Sequence, residues 1–268
     1  MRLATWNINS IRLRIGQLLR LIDEAQPDVI CLQETKCPDE HFPHAPLEAA
    51  GYAYRSIHGM KAYNGVAILS RRPLDAACVH HRVGRQDCRH IAASVKLTPR
   101  GKPIEIHCAY IPAGGDIPDP DANDKFAHKL AFVDELTKWW KEERGPTAPM
   151  ILCGDLNIAP LETDVWSHKQ LLNVVSHTPI EVEKLNAMQT SIGFVDAVRR
   201  FIPPEQKLYT WWSYRNQDWK ISDRGRRLDH VWVTKPLQKN LKAAVVLREA
   251  RDWTQASDHV PVIVDFQT

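Results

Sequence analysis

Short apolar runs alternate with amphipathic stretches along the chain, which predicts interleaved strands and helices in one α/β domain spanning residues 1–268. RLATWNI (2–8), DVICLQE (28–34), GVAILS (65–70), HIAASVKL (90–97) and IEIHCAYI (104–111) all have strand length. ILCGDLN (151–157), RLDHVWVT (227–234), AAVVLRE (243–249) and VPVIVDF (260–266) continue the series. Ile11, Ile15, Leu18, Leu19 and Ile22 recur at helical spacing, with a cap expected at Asn9-Ser10 and a stop before Pro27. Phe126, Leu130, Val133, Leu136 and Trp140 predict a helix over 123–143. Thr178-Pro179-Ile180-Glu181 joins a capping box to a proline at the first helical position, with Leu185, Met188 and Ile192 as the apolar stripe. The Pro- and Gly-rich stretch 112–122 reads as a loop.

Polar groups interrupt these runs at or just past their ends. Asn7 and Asn9 follow LATW, Glu34 follows VICLQ, and Tyr110 follows IEIHCA. Asp155 and Asn157 follow ILC, two apart and on one face if the strand stays extended. Asp229 sits within RRLDHVWV, and Asp258-His259 precedes VPVIV. Strand ends in open α/β sheets are where sites form. Four carboxylates near one rim demand compensating positive charge, and an oxygen-rich set suits a hard cation such as Mg²⁺. Each group also has a plainer reading. Asp155-Leu-Asn157 forms a turn, Glu34 caps the next segment, Asp258 makes an Asx turn, Asp229 pairs with Arg226 or Arg227, and Tyr110 is a core aromatic.

Composition narrows the picture without deciding it. A net charge of +3 on 268 residues, with 44% apolar and 25% charged residues, describes a globular protein and no polycation. The cysteines form no C-x-x-C pair, and three lie in apolar runs, as buried thiols do in a reducing compartment. Cys37, His41 and His44 fit no standard zinc spacing. With no leader and no membrane-length apolar run, the expectation is a soluble, cytoplasmic protein without membrane contact.

Taken together, TWNINSIR, PDVICLQETK, YNGVAILS, AYIPAGGD, KFAHKLAF, ILCGDLNIAP, GFVDAVRRF, YTWWSYR, GRRLDHVWVT and SDHVPV resemble, in order, the exonuclease III family of Mg²⁺-dependent DNA-repair nucleases. That family lies within the endonuclease/exonuclease/phosphatase fold. The resemblance implies a four-layer α/β sandwich, two packed mixed β-sheets flanked by helices as in deoxyribonuclease I. It implies Glu34 as the principal metal ligand, with Asn7, Asp155, Asn157, Asp258 and His259 around the ion. Mg²⁺ is the expected cofactor, and Mn²⁺ is expected to substitute. Asp155 and Asn157 would position or activate the attacking water. His259, oriented by Asp229, would contact the scissile phosphate, and Tyr110 the phosphate or leaving oxygen. The base is either Asp155, our preference, or a histidine, and the number of metals is one or two.

DNA contacts are expected where charge and aromatics coincide. Residues 199–235 carry nine basic and four acidic side chains, a local +5 interleaved with Trp211, Trp212, Tyr214 and Trp219. Arg215 and Arg226 belong to this set, and one of Trp211 and Trp212 is expected in the core. The resemblance implies Trp211 and Leu228 as walls of a pocket for a base-less sugar, and Arg89 and Lys125 are candidate phosphate contacts. Three departures stand out. Asn9 replaces the aspartate of some relatives, Gly115-Asp116 replace a long polar or basic side chain, and Arg226-Arg227 stand where some relatives have an aromatic. The implied activity is a monomeric enzyme cutting duplex DNA 5′ to abasic sites, with 3′→5′ exonuclease and 3′-end-cleaning activity. Alternatives are a phosphatase of inositol phosphates or phospholipid headgroups, and a DNA-binding module with a dead site.

Overall fold

The computed structural model describes every residue except Leu97, Pro99, Arg100, Gln217 and Thr268. The last residue of the strand predicted over 90–97 therefore lies outside the described residues. Among the described residues, fourteen strands form two six-stranded mixed sheets and one small ribbon. The first sheet contains β1 (Arg2–Asn7), β2 (Val29–Gln33), β3 (Tyr54–His58), β4 (Val66–Ser70), β13 (Leu241–Val246) and β14 (Val262–Phe266), ordered β13-β14-β1-β2-β4-β3. The second contains β5 (Leu74–Val79), β6 (His90–Lys96), β7 (Pro103–Tyr110), β8 (Met150–Asp155), β9 (Val195–Asp196) and β12 (Asp229–Val233), ordered β5-β6-β7-β8-β12-β9. The ribbon pairs β10 (Trp211–Trp212) with β11 (Gly225–Arg226).

The sheets face each other across an apolar core, and helices cover their outer faces. Leu3, Val29, Cys31 and Ile68 meet Ile91, Ile106, Cys108, Ile151 and Val231 between the sheets. The alternate residues Ala4, Trp6, Ile30 and Leu32 turn outward against Leu18, Leu21 and Ile22 of helix Ile15–Ala25. On the far side, Ala109, Leu152 and Trp232 pack on helices Asp124–Glu143 and Pro179–Ser191. Strands buried on both faces need apolar residues at every position, which is why the sequence shows runs instead of alternation. Each fully buried Leu, Ile or Val contributes about 1.5–3 kcal/mol. The expected four-layer sandwich is the observed fold. Among the described residues, no helix is long and apolar enough to cross a membrane.

Strand direction brings the polar ends together. β1 and β2 run parallel, as do β7 and β8, and contacts of Asn7 with Asp155 and of Tyr110 with Glu34 join the ends of the two pairs at one rim. β12 runs antiparallel to β8 and β14 antiparallel to β1, so both start at that rim. Register then sets Tyr110 beside Asp155, and Asp155 beside Asp229.

Two boundaries differ from expectation. The first helix begins at Ile15, not after Asn9-Ser10. Asn9 and Ser10 hold positive φ (48° and 88°), because Ser10 N–H donates to Glu34 O at 2.7 Å and Ile11 N–H to Thr35 O at 3.1 Å. Pairing of the two chain segments outlasts the strands and delays the helix. The strand predicted over 243–249 is β13, which ends at Val246 before a 3₁₀ turn at Arg248–Asp252. β3 and β5 escaped prediction because they are edge strands with little buried face. The capping box at Thr178 and Glu181 is present.

Candidate active site

Backbone geometry first ends each strand and then aims its side chain. Gly154, at φ 138°, lies so close to β7 that a Cβ would sit 2.0 Å from Ala109 O. Past it, Asp155 Oδ1 accepts the Asn157 backbone N–H at 3.0 Å, and Asn157 adopts φ 53°. The turn reading and the site reading of this segment are therefore one structure, because the turn is what points Asp155 Oδ2 at the rim. Glu34 likewise leaves the strand with φ 51°.

The side chains meet in a single hydrogen-bonded cluster. Asn7 Nδ2 donates to Glu34 Oε1 (2.9 Å) and to Asp155 Oδ2 (2.8 Å). Tyr110 OH donates to Glu34 Oε1 at 2.8 Å. Lys36 Nζ bridges Glu34 Oε2 (2.7 Å) and Asn9 Oδ1 (2.6 Å). Asp258 accepts from Asn9 Nδ2 (3.1 Å) and from Trp211 Nε1 (3.0 Å). His259 Nδ1 donates to Asp229 Oδ2 at 2.8 Å, while its Nε2 lies 3.6 Å from Asp155 Oδ2. Asp229 does not pair with arginine. Arg227 is taken by Asp164 and Asp196, and Arg226 by Val175 and Ser176.

Burial and mutual charge set the protonation states. Burial, reinforced by the nearby carboxylates of Asp229 and Glu34, raises Asp155 to about 7 against the pull of His259. Burial alone would strip the proton from His259, but Asp229 and then Asp155 outweigh it and hold the imidazole at about 10. A doubly protonated ring has no lone pair for a metal. Burial works to raise Glu34, yet the Lys36 ammonium and the Asn7 amide keep it below its ordinary value. Burial, then Glu34 and Asp155, push the Tyr110 phenol well up, so it remains a donor.

The donor set fits a hard divalent cation. Glu34, Asp155 and Asp258 offer carboxylate oxygens at one rim, and Lys36 already brings positive charge to Glu34 there. Asp229 stands next to this set behind the charged His259 ring, and its Oδ1 is buried with no hydrogen-bond partner among the described residues. Asn7 presents N–H groups, not oxygen, to the carboxylates. In a second cluster Arg82 donates to His90 Nδ1 and the His90 and His107 rings are hydrogen-bonded, while His80 packs on His90 and pairs with Cys78 Sγ; burial holds all three rings below their ordinary pKa. Cys37, His41 and His44 form no such group among the described residues.

A cleft of about 680 Å³ opens beside the cluster, lined by Trp166, Trp211, Arg215, Arg226 and Leu228 together with Asp155, Asn157 and His259. Trp212 is the core tryptophan of the pair, fully buried, while Trp211 walls the cleft. Lys125 is exposed at the start of helix Asp124–Glu143. Arg89 is turned inward instead of outward. It is 5% exposed, pairs with Asp87 at 2.6 Å and stacks over the Tyr110 ring at 4.7 Å, which makes it a buttress of the tyrosine. Lys36 and Trp166 were not singled out from sequence. Lys36 lies in the LQETK motif, two residues after Glu34, and Trp166 carried no local signal.

A model of the endonuclease/exonuclease/phosphatase family matches residues 4–259. The chain belongs to that family. It is 27% identical to exodeoxyribonuclease III of Haemophilus influenzae over 273 residues, covering 100% of both chains. Among solved structures it resembles an AP endonuclease from Archaeoglobus fulgidus, with TM-score 0.90, 28% identity and 100% of both chains covered. It also resembles a Neisseria 3′ phosphatase bound to a product DNA hairpin, with TM-score 0.88, 29% identity and 100% of both chains covered.

Proposed function

We propose that the protein is a Mg²⁺-dependent DNA-repair nuclease that hydrolyses duplex DNA 5′ to abasic sites. On this reading it also removes 3′-terminal nucleotides and 3′-blocking groups, and it acts as a monomer. The supporting observation is the pairing of a charged imidazole with a carboxylate of raised pKa: His259 Nε2 lies 3.6 Å from Asp155 Oδ2, with Asp229 behind the ring. Phosphodiester hydrolysis needs both, a cation against the phosphoryl oxygens and a base for water.

In this reading Asp155 takes the proton of a water that Asn157 helps to position. Charged His259, held by Asp229, binds a non-bridging oxygen of the scissile phosphate. Tyr110 donates toward the phosphate or the leaving oxygen. Glu34 and Asp258, with Asp155, would hold the Mg²⁺, which when bound supplies charge neutralisation at the phosphoryl oxygens. Trp211 and Leu228 wall the sugar pocket, with Arg215 and Lys125 as backbone contacts. The names of the relatives favour a nucleic-acid substrate over an inositol phosphate. A duplex carrying one abasic-site analogue tests the reading. Cleavage 5′ of the lesion that needs Mg²⁺ supports it. Binding without cleavage identifies a dead DNA-binding module, and turnover only of a phosphorylated headgroup identifies the lipid enzyme.

A further inference from the structure

Trp211 forms a backbone bridge to His259 on one side and pairs with Arg226 on the other. Residues opposite one another in a ladder project to the same face. Imidazole, indole and guanidinium therefore stand in a row, and all three line the cleft. Two inter-strand steps put the Arg226 backbone roughly 10 Å from that of His259.

Arg226 and Arg227 are adjacent but differently satisfied. Arg227 is held by the carboxylates of Asp164 and Asp196 at 2.6–3.0 Å. Among the described residues Arg226 has no carboxylate partner. Its Nη1 donates to Val175 O (2.9 Å) and Ser176 Oγ (2.7 Å), its carbon Cζ lies 5.3 Å from the centre of the Trp211 ring, and its Nε is buried with no partner. Burial lowers its pKa against the more distant pull of Glu181, which is itself paired with Lys129. A partly desolvated guanidinium that lines the cleft and whose two acceptors are neutral oxygens is poorly compensated until an anion reaches it from the cleft. Its planar fork matches carboxylate and phosphate oxygens.

We propose that Arg226 determines substrate preference by binding anionic oxygens on the 3′ side of the scissile phosphorus. A substrate with a negative group there is favoured over one presenting a bare, neutral sugar. This rests on the nuclease reading above and specifies the chemistry of its pocket. The anion has two sources: a carboxylate ending a 3′-blocking fragment, or the next phosphate of a continuous strand.

Two matched pairs of duplexes test it with Mg²⁺ present. One pair carries a 3′-terminal phosphodiester fragment ending in a carboxylate or in an isosteric alcohol. The other carries an internal abasic analogue followed by a phosphate or by a neutral methylphosphonate. Wild type should prefer the charged member of at least one pair by about 10- to 100-fold in kcat/KM, the range for a hydrogen bond to a charged group. The pair that shows the preference identifies the source. Arg226→Met should bring that ratio near one, and Arg226→Lys, which keeps charge without the fork, should fall between. Thermal unfolding of both variants separates a folding defect from a change in ratio. Ratios near one for wild type, or equal ratios for wild type and Arg226→Met, overturn the inference while leaving the nuclease reading intact. Wild type that cuts none of the four duplexes defeats that reading and this inference with it.

Discussion

Asp229 Oδ2 lies 2.8 Å from Nδ1 of His259, a residue 30 positions away in sequence, and both are buried. The contact lets an imidazole keep its proton where burial alone would remove it. With its pKa at about 10, His259 is charged below that value and neutral above it. Activity that needs the charged ring is therefore lost as pH rises through about 10. Asp229→Asn removes the largest stabilising charge. The alkaline limb of kcat against pH should move down by about one unit or more, so the loss of kcat should be small near pH 8 and grow to about 10-fold near pH 10. An unmoved alkaline limb would show that the dyad does not set the charge.

Asp155 gives the opposite limb. Raised to about 7, it is a competent base only above that value, so turnover should climb as pH passes through it. A cation beside the carboxylate favours the ionised form and draws the limb lower. Rate profiles at saturating and limiting Mg²⁺ should differ, with the acid limb nearer 7 when metal is scarce. Identical acid limbs would separate Asp155 from the metal.

Glu34→Gln keeps the shape of the side chain and removes its charge. The Mg²⁺ concentration for half-maximal cleavage should rise by about 10- to 100-fold, comparable to the loss of a metal site's supporting contacts. Duplex affinity, measured without turnover in chelator, should stay within a few-fold of wild type. Wild-type activity at limiting Mg²⁺ would remove Glu34 from the metal site.

Gly154→Ala probes how closely β7 approaches β8. The added Cβ would meet Ala109 O at 2.0 Å, and φ 138° is itself foreign to alanine. A loss of about 3 kcal/mol is expected, equivalent to a Tm lower by roughly 6–12 °C. kcat should fall as well, because Asp155 is the next residue. Thermal unfolding and turnover check both parts, and a wild-type Tm would contradict the close approach.

The apolar runs exposed the central strands because burial on both faces leaves few choices of residue. Edge strands β3 and β5 stayed hidden for the converse reason. The polar interruptions marked Glu34, Asp155, Asp229 and Asp258 as unusual, but which of them meet depends on sheet order and strand direction, which lie beyond local sequence. Convergence came from the ordered motif set. Asp155 and Asn157 illustrate the limit: two-residue alternation suggested a common face, whereas an Asx turn with Asn157 in a left-handed conformation does the aiming. Arg89 read as a candidate phosphate contact because nothing nearby in sequence announces Tyr110 across the strand pair. Lys36 drew no reading of its own, although it is the cation that bridges Glu34 and Asn9.

The most direct test is single-turnover cleavage of a duplex with one abasic-site analogue, comparing wild type with Asp155→Asn in Mg²⁺ and in chelator. The account predicts one cut 5′ of the lesion by wild type in Mg²⁺, none in chelator, and a rate at least about 100-fold lower for the variant. Cleavage that survives chelator, or an Asp155→Asn enzyme as fast as wild type, would contradict it.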